Sequence, residues 1–266
     1  MKLNAYQLKW IAIIGMFLSH VVASWWDILP EVLRHPFWAV GGFTFPIMGF
    51  FVAEGYKHTS NLKKYILRIL IVGIIALPFH IMALTIPIGG GNLMAYPFVN
   101  IMFSIVLSLL VLVMYDKIRI RALFWVLYII VIVPISFIFF EWYFVGITIV
   151  LMYHIIPNET VRRIVPSLFA AACFTFLAWT TTFSTASLQA AMEAGVYVGS
   201  WENALVVNPE FSSIMMVFPI GIVIAGLLLL AYNGERGKNM KWLFYVFYPL
   251  HLAVLAAGIW VIRNFM

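Results

Sequence analysis

Lys9 and His20 stand eleven residues apart in one apolar stretch. At about 100° per residue, eleven positions close roughly three helical turns, so the two side chains share a face about 16 Å apart along the axis. A lysine at the edge of a membrane helix can hold an anion. An imidazole deeper in the same helix can act as a general base, because its ordinary pKa lies near neutrality. A second group follows in GGFTFPIMGFFVAEGYKHTSNLKKYILR, residues 41–68. There Glu54 and His58 are four apart, as are Lys64 and Arg68, and each pair shares a helical face. An apolar run that ends on a carboxylate, a glycine, a histidine and a basic cluster does more than anchor, since ionisable groups at membrane depth are costly and face protein or water.

Four more polar residues interrupt apolar runs: His80, just after Pro78; Asn100; Glu141; and His251, just after Tyr248 and Pro249. Each could contact a polar substrate. Plainer explanations exist as well: packing beside a proline kink for His80, helix capping for Asn100 and Glu141, and, for His20, an interhelical hydrogen bond. His35 and His154 fall at helix ends and read as interfacial. Positive-inside bias and anionic lipid headgroups explain most of Lys57, Lys63, Lys64, Arg68, Arg236, Lys238 and Lys241. Arg68 is the exception, because it enters the next apolar helix and suits a phosphate-rich ligand.

The elements that must position these residues follow from hydropathy. The chain is 64% hydrophobic, 17% aromatic and 10% charged, with mean hydropathy +1.03. Soluble domains carry about a quarter charged residues, so the fold class is an all-α, polytopic membrane bundle forming a single domain over 1–266. A crossing takes about 20 apolar residues. Nine runs qualify: 8–26, 37–53, 65–86, 99–115, 122–140, 142–156, 164–183, 213–232 and 242–261. The fifth and sixth form one long stretch broken only at Phe140, Glu141 and Trp142, and a single 35-residue span would overrun the bilayer. The first run reads as a retained helix, since no small-residue cleavage site follows it.

A cytoplasmic amino terminus puts 14 of the 16 lysines and arginines inside, leaving Arg34 and Arg263 outside. The net charge of +6 therefore reports topology, with no nucleic-acid partner expected. The 87–98 loop, with three consecutive glycines, is expected to be a flexible turn. The 184–212 segment could be an interfacial helix lying over an outer opening. Cys173 is the single cysteine, so no intrachain disulfide and no cysteine metal site can form; no metal is expected.

Three stretches together resemble the TraX family of membrane proteins, named for a conjugation protein implicated in acetylating the amino terminus of pilin. They are FTFPIMGFFVAEGYKHTSNLKKYILRIL (43–70), EWYFVGITIVLMYHIIP (141–157) and YNGERGKNMKWLFYVFYPLHLAVL (232–255). The third is the most specific. Ser19 stands where the family usually has aspartate, and Gly41–Gly42 where it has Gly-Arg. The first helix is also similar to that of multi-pass acyltransferases, which share a basic residue, ten intervening positions and a histidine, as in Lys9 and His20. The resemblance implies transfer of an acyl group, most often acetyl, from coenzyme A across the cell membrane.

On that reading His20 and Glu54 would be catalytic. Lys9, His58, Lys64, Arg68 and Lys241 would hold acetyl-CoA as the acyl donor, and His80, Asn100, Glu141 and His251 would meet the acceptor. That acceptor is an extracytoplasmic peptide (including its amino terminus), a glycan or a lipid, and membrane lipids surround the whole. Direct transfer and an acyl-histidine intermediate are both open. The rival class is a transporter or flippase of a small polar or lipid-linked molecule, though no inverted repeat is visible. A peptide-processing enzyme ranks last, since HExxH and paired intramembrane acids are missing.

Overall fold

A computed structural model describes residues 2–26, 28–85, 99–193, 209–239 and 241–265, leaving out the side chains of Thr85, residues 137–139, 181–192 and 209–212, Lys241 and Arg263. The described residues form eleven α-helices: α1 (Ala5–Ser24), α2 (Glu31–Gly41), α3 (Thr44–His58), α4 (Leu62–His80), α5 (Ile101–Lys117), α6 (Arg121–Leu127), α7 (Val133–Phe139), α8 (Tyr143–Ile155), α9 (Glu159–Glu193), α10 (Pro209–Leu230) and α11 (Lys241–Phe265). Each of the nine apolar runs is helical over most of its described residues, the second of them interrupted at Gly42–Phe43. Six helical segments among the described residues are long and apolar enough to cross a membrane: Ala5–Ser24, Glu31–His58, Leu62–Leu84, Glu159–Thr180, Ser213–Leu230 and Trp242–Ile262. The chain is an all-α, multi-pass membrane protein.

Local chemistry sets the helix ends. Asn4 caps α1: its side chain accepts from Gln7 N and its N–H donates to the Gln7 side chain, both at 3.0 Å. This reciprocal box starts the helix three residues before the hydropathy does. Asn61 caps α4 in the same position, accepting from Lys64 N at 2.9 Å. Past Pro78, α4 passes into a π-helical turn at Ile81–Thr85, where Ile81 N reaches both Leu77 O and Pro78 O. The seventh run is longer than hydropathy indicates. Residues 184–193, expected in a separate interfacial helix, continue α9. Residues 194–208 and the 87–98 loop lie outside the described residues.

The break between the fifth and sixth runs falls where the sequence places it, but its form differs from a simple turn. Trp142 and Tyr143 adopt left-handed backbone, φ 62° and 46°. Such conformations cost on the order of 1–3 kcal/mol each in non-glycine residues. Packing holds them: Trp142 lies against Phe45, Phe174 and Phe218, with ring centroids 4.8–5.5 Å apart. Ser104 Oγ also donates to Glu141 O at 2.8 Å. With 13 residues, α8 rises only about 20 Å, less than the ~30 Å hydrocarbon core. Its non-helical start packs against protein, with Glu141 buried and Trp142 and Tyr143 half-buried, the setting in which such backbone is tolerated at membrane depth.

Two apolar clusters fill the bundle. The larger joins α1, α3, α5, α8, α9 and α10, with Phe45, Phe50, Leu109, Ile147 and Tyr153 fully buried. The smaller joins α1, α4 and α11 through Val21, Val72, Ala76, Tyr248 and Leu252. Where α10 crosses the α2–α3 junction, backbones touch. A Cβ on Gly42 would meet Phe218 O and Ile222 N, and one on Gly221 would overlap the Ala39 carbonyl. Glycine is what permits such approach between membrane helices.

Candidate functional site

The amino terminus is tied to the loop between α10 and α11. Leu3 N donates to Ala231 O at 2.8 Å, Asn233 N to Leu3 O at 2.8 Å and Ala5 N to Glu235 O at 2.9 Å. Gly237, at φ 65°, lets the loop turn tightly over Asn4 and Tyr6. The result brings Arg236 and Lys238 beside the start of α1 and its Lys9. Arg68 joins them from α4. These four cations stand around one cleft of about 650 Å³, with Glu54 and His58 also in its wall.

Beyond its charged rim the cleft is apolar and aromatic. Phe51, Tyr65, Phe244 and Tyr245 line it, and it reaches Met16 on α1, Ile101 on α5, and Phe247 and Tyr248 on α11. Lys9 Nζ sits over the Phe51 ring, 4.8 Å from its centroid. The acidic side chains at this end are engaged elsewhere. Arg162, buried, takes Glu54 Oε1 at 2.8 Å and Glu159 Oε1 at 2.8 Å, and Arg163 takes Glu159 Oε2 at 3.5 Å. Lys9, Arg68, Arg236 and Lys238 have no ion-pair partner among the described residues. The buried Nε of Arg68 has no hydrogen-bond partner there either. An anion with several charges and a slender apolar extension fits this arrangement.

One helical turn past Met16 on α1 is His20, and one turn past Phe247 on α11 is His251. Their rings meet: His20 Nδ1 and His251 Nε2 are 2.9 Å apart. His80, buried on α4, lies near enough to His20 to interact with it electrostatically. So three histidines that the sequence scatters over 231 positions gather in the α1–α4–α11 cluster, just beyond the deep end of the cleft. Among the described residues no three His, Cys, Asp or Glu are arranged to hold a metal.

The remaining expected site residues separate. Glu54 and His58 do share a face, 3.8 Å apart. Glu54, however, is far from His20. Gly41 packs on Ser19, and Glu54 is thirteen residues further along, roughly 20 Å at 1.5 Å per residue. Glu54 thus belongs to the rim, held by Arg162, and forms no pair with His20. Lys64 is exposed in the first turn of α4 and does not line the cleft. The side chain of Lys241 lies outside the described residues.

Asn100 is fully buried. It donates to Gly73 O at 2.9 Å and accepts from Met102 N at 3.1 Å, joining α4 to the start of α5. Asn100→Ala is therefore expected to lower thermal stability by about 1–2 kcal/mol, the range for a lost cap, and to leave ligand affinity at the cleft unchanged. Thermal unfolding beside ligand titration checks this. Glu141 is buried at the break before α8. Ser19, the departure in the first helix, meets Gly41 at one helix crossing.

Arg236 and Lys238, which positive-inside bias accounts for in the sequence, line the cleft, and Arg162 pairs with Glu54. The loop's turn glycines were the available signal for the first two; nothing in the sequence pairs Arg162 with Glu54. At the same end of the bundle His154 Nε2 contacts Asp116 Oδ1 at 2.9 Å and Tyr56 Oη donates to Asp116 Oδ2 at 2.7 Å. Burial by itself would raise the Asp116 carboxyl, but these hydrogen bonds hold it below its ordinary value. His154, read as interfacial, thus fastens α5 to α8.

Fold and site together define a multi-pass helical membrane protein with a cationic cleft at one end leading towards paired intramembrane histidines. The chain belongs to the TraX family: the family model described as "TraX protein" matches residues 4–259. It is also similar to the probable fimbrial assembly protein FimC, serogroup H1, of Dichelobacter nodosus, with 32% identity over 269 residues, covering 96% of this chain and 95% of that protein. No solved structure matches it.

Proposed function

We propose that this protein is an acetyl-CoA-dependent membrane acyltransferase that modifies an extracytoplasmic amine or hydroxyl. The observation that carries the reading is the cleft itself. Four cations without ion-pair partners among the described residues surround its mouth, and its aromatic length stops one turn short of His20 and His251. Coenzyme A has the same division, a polyanionic nucleotide end and a thin arm ending in a thioester. Lys9, Arg68, Arg236 and Lys238 would hold the phosphates, and the aromatic walls would sheath the arm. When bound, acetyl-CoA supplies an activated acetyl group. His20 would accept the proton of the acceptor as the acceptor's nitrogen or oxygen bonds the acetyl carbon, and would return that proton to the coenzyme A thiolate released as the thioester C–S bond breaks.

The similarity to a protein named for fimbrial assembly favours a pilin-type peptide amino terminus as the acceptor. Such an acceptor would approach from the side opposite the basic end.

Two measurements test the reading. In titrations of the detergent-purified protein, Lys9→Ala and Arg68→Ala should each weaken acetyl-CoA and coenzyme A alike by roughly tenfold, the loss expected for one charge-assisted hydrogen bond. In proteoliposomes enclosing labelled acetyl-CoA, the wild type should transfer label to an amine-bearing peptide outside. Counterflow of a polar solute without coenzyme A, with no label transferred, would replace the enzyme by a transporter.

A further inference from the structure

Two hydrogen bonds in series fix which nitrogen of His20 can act as a base. His251 Nδ1 lies 2.9 Å from the carbonyl oxygen of Phe247, one turn earlier on α11. A carbonyl only accepts, so Nδ1 of His251 carries the hydrogen. A neutral imidazole has one donor and one acceptor, which leaves Nε2 of His251 with its lone pair. That nitrogen is the one 2.9 Å from His20 Nδ1. His20 must then donate from Nδ1, and its own lone pair falls on Nε2.

The ring geometry agrees. The two imidazoles are only 12° from parallel, yet their centroids are 5.2 Å apart. That separation exceeds the nitrogen–nitrogen distance by about one ring width, as in an in-plane N–H···N bond and unlike a face-to-face stack. His251 is itself held firmly: it is buried, and its ring stacks on Phe247 at 4.9 Å and 9°.

We infer that His251 is a positioning residue whose hydrogen bond, anchored on the Phe247 carbonyl, locks His20 in the Nδ1–H tautomer and so presents Nε2 as the proton acceptor. The inference rests on the acyltransfer reading for its consequence in catalysis, but not for the tautomer. A carbonyl and a second imidazole here do what a carboxylate often does for a base histidine. They set its tautomer and orientation without placing a fixed negative charge at membrane depth.

Nitrogen-15 NMR of ring-labelled histidine in nanodiscs reads the tautomer directly, with His20→Gln providing the assignment. The wild type should show His20 with a protonated Nδ1 and a bare Nε2. His251→Gln, whose amide oxygen can take the place of Nε2, should keep that pattern. His251→Leu should lose it and give a mixture of tautomers. In the transfer assay His251→Leu should lower kcat by about a hundredfold with little change in the KM for acetyl-CoA, and His251→Gln should recover most of it. A His20 protonated on Nε2 in the wild type, or unchanged by His251→Leu, overturns the inference. The expected tautomers in a protein that transfers no acetyl group would uphold the positioning and refute the acyltransfer reading alone.

Discussion

His20→Ala is expected to reduce acetyl transfer by roughly a hundred- to ten-thousandfold, the usual range for removing a positioned general base, while the protein still inserts, folds and binds acetyl-CoA. The separation follows from the architecture. His20 does not line the cleft, so the cations and aromatic walls that would hold the donor are untouched by its loss. Nor is His20 a main support of the bundle. It is only half-buried, and the α1–α4–α11 contact rests on Val21, Ala76, Tyr248 and Leu252. Initial rates in proteoliposomes, set beside a binding titration of the same preparation, check both halves. Equal loss of binding and turnover would instead make His20 a structural link between α1 and α11.

The second large effect is on folding. Gly221→Leu should lower the melting temperature of the purified protein by about 5–10 °C or prevent its accumulation in the membrane. A side chain at 221 would collide with the Ala39 carbonyl and the Gly42 backbone, and backbone cannot swing aside as a side-chain tip can. Overpacking costs about 1–3 kcal/mol and sometimes more, and each kcal/mol moves the midpoint of a chain this size by roughly 2–4 °C. Gly234→Ala offers a control for nonspecific loop effects: Gly234 meets nothing within 4 Å, so any cost there comes from its positive φ alone. A Gly221→Leu protein with wild-type melting would show that α10 can move away from the α2–α3 junction.

Much of this organisation is legible in the sequence because water-to-lipid transfer acts on every residue of a run. Nine apolar runs and their alternating charged ends place the helices, and the polar interruption at Glu141 places the break before α8. The Lys9–His20 relation is also legible, since one helix fixes both. What is hidden depends on contacts between distant segments. His251 finds His20 across 231 positions, Arg162 reaches Glu54 across 108, and Gly221 meets Ala39 across a helix crossing. Charge was legible but its use was not. Lipid attraction and ligand binding ask for the same lysines and arginines at the inner face. Only the fold separates Arg162 and Arg163, which face carboxylates, from Lys9, Arg68, Arg236 and Lys238, which face the cleft. Asn100 shows the reverse case, a polar residue that suits a substrate in sequence and spends both of its amide groups on backbone in the fold.

The most direct test is an equilibrium titration of acetyl-CoA into the folded, detergent-purified wild-type protein, repeated with His20→Ala and in the presence of excess coenzyme A. Saturable binding that coenzyme A displaces, and that His20→Ala retains, is the predicted result. A wild-type protein that is demonstrably folded and shows no saturable binding contradicts the assignment of the cleft to an acyl donor.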